Sequence, residues 1–169
     1  MSYKLAASSW GQEELDAIQR VIESEQFSMG SEVAAFEKSF ANWHDLKYGV
    51  MVNSGSSANL ISIASYFYKH DNPLKPGDEV IVPAISWSTT YYPLQQYGLK
   101  LKFVDVELDS FNLDVTKLEE ALTPQTKIII AVSILGNPAA LDQIKNFAEE
   151  HNLYLMEDNC ESLGAELPN

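Results

Sequence analysis

Short apolar runs alternate with amphipathic stretches through most of this sequence, and that rhythm confines the chain to a sheet layered with helices. The runs predict strands at residues 49–52, 79–82, 100–104, 127–132 and 153–156, and the stretches between them predict helices at 57–68, 89–97, 114–122 and 140–151. Pro76-Gly77-Asp78 marks a turn before the second strand. Strands joined by helical crossovers run parallel and need cover on both faces, so the expected fold is a three-layer α/β/α unit with a mainly parallel sheet. Two helices precede it. Residues 12–24 place Leu15, Ile18, Val21 and Ile22 on one face, and after the Met29-Gly30 turn Val33, Phe36, Phe40 and Trp43 recur at helical spacing, where they read as core.

At 169 residues, with 46% hydrophobic and 21% charged, the chain is expected to fold as one continuous domain without linkers or repeats. Its net charge of -13 and its single arginine, Arg20, argue against a nucleic-acid backbone or an anionic membrane as partner. That charge still permits one small anion, because backbone N–H groups at a helix start bind phosphate without basic side chains. One cysteine, Cys160, excludes an internal disulfide, and the opening Met1-Ser2-Tyr3-Lys4 lacks a signal-type apolar core, so a soluble cytoplasmic protein is expected.

In open α/β sheets ligands collect at the carboxyl ends of strands, so the loops there carry the functional reading. After the first expected strand, Asn53-Ser54-Gly55-Ser56-Ser57-Ala58-Asn59 leads directly into a helix. Small residues and free N–H groups there suit a phosphate, although an ordinary cap by Ser54 or Ser56 accounts for the same pattern. Neither a G-x-G-x-x-G nor a Walker-type motif occurs, which removes the usual support for dinucleotide binding or nucleotide hydrolysis.

The loop after the next strand brings Trp87, either stacked on a planar ring or packed beneath the loop, while Tyr91 and Tyr92 read as packing residues. The last strand ends in Glu157-Asp158-Asn159-Cys160-Glu161. Carboxylates beside a buried strand need an ionic or hydrogen-bonding answer, and a protonated pyridine nitrogen is one such answer. His44, His70 and His151 are too widely separated to suggest a metal site, and Cys160 without a histidine pattern reads as a buried structural thiol.

A phosphate-binding turn, a ring-stacking aromatic and a nitrogen-pairing carboxylate, in that chain order, resemble the fold-type I pyridoxal-phosphate enzymes. The sequence is more closely similar to the DegT/DnrJ/StrS family of sugar aminotransferases and dehydratases. The resemblance runs from Ser9-Trp10 and Phe27-Ser28-Met29-Gly30 through residues 52–60 to Glu157-Asp158. It implies that Ser56 and Ser57 hold the phosphate of pyridoxal 5'-phosphate or pyridoxamine 5'-phosphate, that Trp87 stacks on its ring, and that Asp158 pairs with its nitrogen. Glu157 would be structural. Three residues beyond that aspartate the family commonly has a glutamine near the cofactor hydroxyl, where this sequence has Glu161.

The Trp87 loop, residues 135–138 and residues 158–162 look most like the 3-dehydratase branch of the family. That branch implies removal of the carbon-3 hydroxyl from a GDP-linked 4-keto-6-deoxy sugar, with glutamate as amino donor and a histidine replacing the Schiff-base lysine. A nucleotide-sugar aminotransferase is the alternative; a remnant that binds no cofactor is the second. The deciding lysine or histidine falls beyond the equivalent of Asn169, so residues 1–169 are expected to form the N-terminal part of the cofactor-binding large domain, without the later strands and the small C-terminal domain. A homodimer and little or no turnover by this span alone are the further expectations.

Overall fold

The computed structural model describes residues 7–166, and the chain falls into two compact units, Met1–Met51 and Val52–Asn169. In the first unit α1 spans Gln12–Ser24 and α2 spans Ser31–Trp43, as the apolar spacing predicts. Glu14 turns back at the start of α1 and accepts the Gly11 N–H at 2.6 Å, answering one of the amides that a helix start leaves without a partner. That bond holds the Glu14 carboxyl below its ordinary range. Glu25 closes the helix in the left-handed region at φ 56°.

The expectation that the α2 aromatics form core is corrected. Phe36, Phe40 and Trp43 are 52%, 37% and 76% exposed, and Ala41 is the buried residue of α2. Leu15, Ile18 and Ile22 of α1 are exposed as well. Helical periodicity identifies a face that calls for cover, and it carries no information on what supplies the cover. The aromatics meet one another instead, with ring centroids 5.6 Å apart for Phe36–Phe40 and 4.6 Å for Phe40–His44.

The strand expected at 49–52 is also absent among the described residues. A strand exists through its ladder, and no described neighbour pairs with this segment. The Met51 N–H donates to Glu37 Oε1 at 2.8 Å, so a side chain supplies one bond that a neighbouring strand would otherwise make. Gly49 is required there, because a Cβ would lie 2.7 Å from the Glu37 carbonyl oxygen.

The second unit holds the sheet. It opens with α3 (Gly55–Phe67), followed by β1 (Glu79–Pro83), α4 (Ser88–Gln96), β2 (Lys100–Val104), a 3-10 turn (Val115–Lys117) leading into the short α5 (Leu118–Ala121), β3 (Thr126–Val132), a second 3-10 turn (Ile134–Gly136), α6 (Leu141–Glu150) and β4 (Tyr154–Asp158). The helix expected at 114–122 is therefore a 3-10 turn and one α-helical turn. Asp114 draws the start tight by accepting the Thr116 N–H at 3.0 Å and its hydroxyl at 2.6 Å.

All four strands are parallel, in the order β2-β1-β3-β4. Alternation along the strands divides the core into two layers. Val80, Val82, Ile128, Ile130 and Val132 face Ile63 of α3 and Leu94 of α4, while Ile81, Val104, Ile129 and Ala131 face Leu118 of α5 and Ile144 and Ala148 of α6. This is the three-layer α/β/α arrangement expected. Each fully buried aliphatic side chain contributes about 1.5–3 kcal/mol, enough in sum to fix which face each residue takes.

The strand order carries the functional consequence. From β1 the chain crosses to β2 on one side, and then to β3 on the other. The reversal opens a crevice between the carboxyl ends of β1 and β3, where open α/β sheets receive ligands.

Candidate functional site

At that crevice lies a cavity of about 340 Å³ lined by Ile85, Ser86 and Trp87 after β1, by Val132, Ile134 and Leu135 at β3, and by Phe111, Cys160 and Glu161. Trp87 is 73% exposed, so it is not a packed core residue; its indole borders the cavity. Glu161 borders the same space and accepts the Leu135 N–H at 2.6 Å. Of the residues singled out from sequence, Trp87 and Glu161 are thus brought together.

Ser56 and Ser57 line a second hollow, on α3 and α4, with Leu60, Thr89, Tyr92, Pro93 and Gln96. Ser54 is the cap of α3, and its hydroxyl accepts the Ser57 N–H at 3.2 Å. The amides of Gly55 and Ser56 belong to the first turn, where N–H groups have no intrahelical acceptor. A Cβ on Gly55 would meet nothing within 4 Å, so this helix start faces open space. Tyr92, expected to pack, is 56% exposed and borders the hollow. Tyr91 does pack: its hydroxyl donates to the Pro83 carbonyl at 2.8 Å, and burial pushes its pKa up.

Asp158 ties these parts together. Its carboxylate ends β4 with only 7% of the residue exposed. Oδ2 accepts the Asn59 side-chain amide at 2.9 Å and the Thr90 hydroxyl at 2.8 Å, one donor from α3 and one from α4. Thr90 Oγ1 also lies 2.9 Å from Ser86 Oγ at the cavity wall. Both donors converge on one oxygen of the carboxylate.

Asn59 and Thr90 escape a sequence reading that looks for chemistry only in loops. A signal for Asn59 nevertheless exists. Pro93 lies inside α4 and lacks the N–H that would bond the Thr89 carbonyl. The Asn59 amide donates to that carbonyl at 3.4 Å while also bonding Asp158. A proline inside a helix thus leaves an acceptor open, and a buried asparagine on the neighbouring helix serves it.

Cys160, expected to be buried, is exposed beside this carboxylate, because it lies in the loop past the end of β4; its thiol is pushed up to about 11 by partial burial first, then by the charge of Asp158, a hydrogen bond to it and the charge of Glu161. A thiol held protonated is a poor nucleophile. Glu157 points the other way in function: its Oε1 accepts the Ser133 hydroxyl at 2.8 Å, which braces the end of β3. Among the described residues no group of three or more His, Cys, Asp or Glu side chains could hold a metal ion. Nor is any described helix long and apolar enough to cross a membrane.

A parallel sheet with polar groups gathered at a topological switch point places the chain among α/β proteins of the doubly wound type, which receive ligands at that position. Residues 8–169 match the DegT/DnrJ/EryC1/StrS aminotransferase family, and the chain belongs to it. It is 52% identical over 167 residues to the GDP-4-keto-6-deoxy-D-mannose 3-dehydratase of Yersinia pseudotuberculosis, covering 99% of this chain and 42% of that one. With the GDP-perosamine synthase of Caulobacter vibrioides it shares 34% identity over 138 residues, 82% of this chain and 36% of the other. Among solved structures it is similar to a GDP-4-keto-6-deoxymannose-3-dehydratase with a trapped PLP–glutamate geminal diamine, at a TM-score of 0.94 and 50% identity over 99% of this chain and 44% of that one. The chain therefore spans less than half the length of these relatives, and its fold is the corresponding part of a fold-type I aminotransferase-like enzyme.

Proposed function

We propose that this chain is the N-terminal part of the cofactor-binding large domain of a nucleotide-sugar 3-dehydratase that uses pyridoxal or pyridoxamine 5'-phosphate. The observation that carries the reading is the buried Asp158 carboxylate at the strand end, with two donors on one oxygen and the Trp87 cavity at the adjoining switch point. The groups present fit the cofactor in kind. An open helix start takes its phosphate through the amides near Ser56 and the Ser57 hydroxyl. The exposed Trp87 face suits a planar ring, and a fixed carboxylate suits a protonated ring nitrogen.

Such a cofactor supplies an electron sink for chemistry at carbons attached to its amino or aldehyde group. The chain's own residues do the holding. Asn59 and Thr90 fix the Asp158 carboxylate so that its charge favours a protonated nitrogen, and Trp87 sets the ring plane. Glu161 stands where the family commonly has glutamine and closes the cavity against Leu135. No residue of this span is assigned the central proton transfer, so little or no turnover is expected from it alone.

The substrate reading, a GDP-linked 4-keto-6-deoxy sugar with glutamate as amino donor, is supported by the Yersinia relative at 52% identity. The aminotransferase alternative draws its support from the Caulobacter relative at 34%. A homodimer is the proposed assembly. Equilibrium dialysis against pyridoxal 5'-phosphate tests the cofactor reading: one saturable site per chain is expected, and no saturable binding would reject it. Borohydride reduction of the full-length parent protein tests the reaction, since a trapped lysine adduct would contradict a dehydratase.

A further inference from the structure

Asn112 belongs to none of the groups assigned above, yet it is 4% exposed and makes three bonds to a single loop. Its Oδ1 accepts the Ile134 N–H at 3.1 Å, and its Nδ2 donates to the carbonyls of Asn137 at 3.0 Å and Pro138 at 3.1 Å. One side chain therefore grips both ends of the turn that follows β3. Between those ends Leu135 and Gly136 both have positive φ, 54° and 83°. A leucine in that region costs free energy and persists only where neighbours impose it. Leu135 and Ile134 also line the Trp87 cavity.

We propose that Asn112 is a positioning residue for the cofactor and substrate cavity. It holds the 134–138 turn in the strained shape that presents Leu135 to the cavity and aims the Leu135 N–H at Glu161. It touches no ligand itself, because Phe111, its neighbour, is the residue of that segment lining the space. The asparagine amide is well matched to this turn, with an acceptor for the first N–H and two donor hydrogens for the last two carbonyls, all from one planar group. The positioning role rests on the cofactor reading of the cavity.

Two variants separate the clamp from general destabilisation. Asn112→Ala removes all three bonds; Asn112→Asp keeps an acceptor for the Ile134 N–H and loses both donations. Hydrogen exchange is read residue by residue in the full chain, with pyridoxal 5'-phosphate affinity measured on the same samples. In the alanine variant the amides of Ile134, Leu135 and Asn137 are expected to exchange at least about tenfold faster, while Ile129 and Ile130 of β3 stay protected. In the aspartate variant Ile134 stays protected and Asn137 does not. Both variants are expected to weaken pyridoxal 5'-phosphate binding by about tenfold, the scale of one or two buried hydrogen bonds, while phosphate alone binds as before. Affinity unchanged in a variant whose turn exchanges freely would overturn the proposal, as would uniform acceleration across β3. If the unmodified chain fails to bind the cofactor, the cofactor reading falls, and the residue-specific exchange pattern still supports the clamp on the turn.

Discussion

The Asp158 carboxylate at the end of β4 accepts the Asn59 side-chain amide of α3 at 2.9 Å, across 99 positions of sequence. The same amide serves the Thr89 carbonyl that Pro93 leaves without its helical donor. One asparagine therefore serves an open helix carbonyl and a buried acid together, which couples the packing of α3 against α4 to the geometry at the end of β4.

Thr90 provides the second donor to that acid. Replacing Thr90 by Val keeps the volume and removes the hydroxyl, leaving a buried carboxylate with one donor fewer. A loss of about 1.5–3 kcal/mol in urea unfolding is expected, the range for hydrogen bonds to charged groups. A change under about 0.5 kcal/mol, the level of an ordinary surface substitution, would show that the bond has no structural weight.

Cys160 reports on the same carboxylate. Because its thiol is pushed up to about 11, its alkylation by iodoacetamide at pH 8 is expected to be roughly ten- to a hundredfold slower than that of an ordinary exposed thiol. The rate should climb with pH toward that value. Asp158→Asn removes a charge that disfavours the thiolate, so it should speed alkylation at fixed pH; an unchanged rate would mean that burial and the Glu161 charge suffice to hold the thiol protonated.

Tyr66 links α3 to the edge strand, its hydroxyl donating to the Leu155 carbonyl at 3.1 Å. Burial, and then the neighbouring Tyr154, raise its pKa above the ordinary 10.0. A phenol whose folded-state pKa is raised contributes stability that is complete below its unfolded value and is lost as pH climbs through the folded one. Tyr66→Phe should therefore cost about 1 kcal/mol near neutrality and make the alkaline decline of stability shallower. Parallel pH profiles for the two proteins would contradict this linkage.

Gly98 sits at φ 76°, and a Cβ there would lie 3.1 Å from Pro76 Cβ. Its carbonyl accepts the Gly77 N–H at 2.8 Å, which joins the turn before β2 to the turn before β1. Gly98→Ala is expected to lower the thermal midpoint through about 1–2 kcal/mol of left-handed strain. A midpoint equal to that of the unmodified chain would show that the turn can relax.

Strands built from unbroken apolar runs, such as Ile128-Ile129-Ile130-Ala131-Val132, are legible because burial on both faces demands that composition. The helices between them are legible from their spacing. The misreadings have a common cause. Residues 49–52 have strand composition, but a ladder depends on a neighbour that composition does not specify, and Phe36 and Trp43 have core spacing without a stated cover. In the candidate site, Trp87 stands out because it follows β1 and Asp158 because it ends β4, whereas the Ser56-Ser57 turn stands out by its small residues at a helix start, since residues 49–52 form no strand among the described residues. Asn59, Thr90 and Asn112 act across long sequence separations, so their partners emerge only when the elements pack.

In the proposed function Asp158 and Trp87 form one cofactor site with the start of α3. Spectrophotometric titration of the chain with pyridoxal 5'-phosphate, in parallel with the Asp158→Asn and Trp87→Ala variants, tests this without intermediary steps. Saturable binding is expected of the unmodified chain, and at least about tenfold weaker binding of each variant, on the scale of one lost charged contact or one lost aromatic face. Equal affinity in all three proteins, or no saturable binding by any, would contradict it.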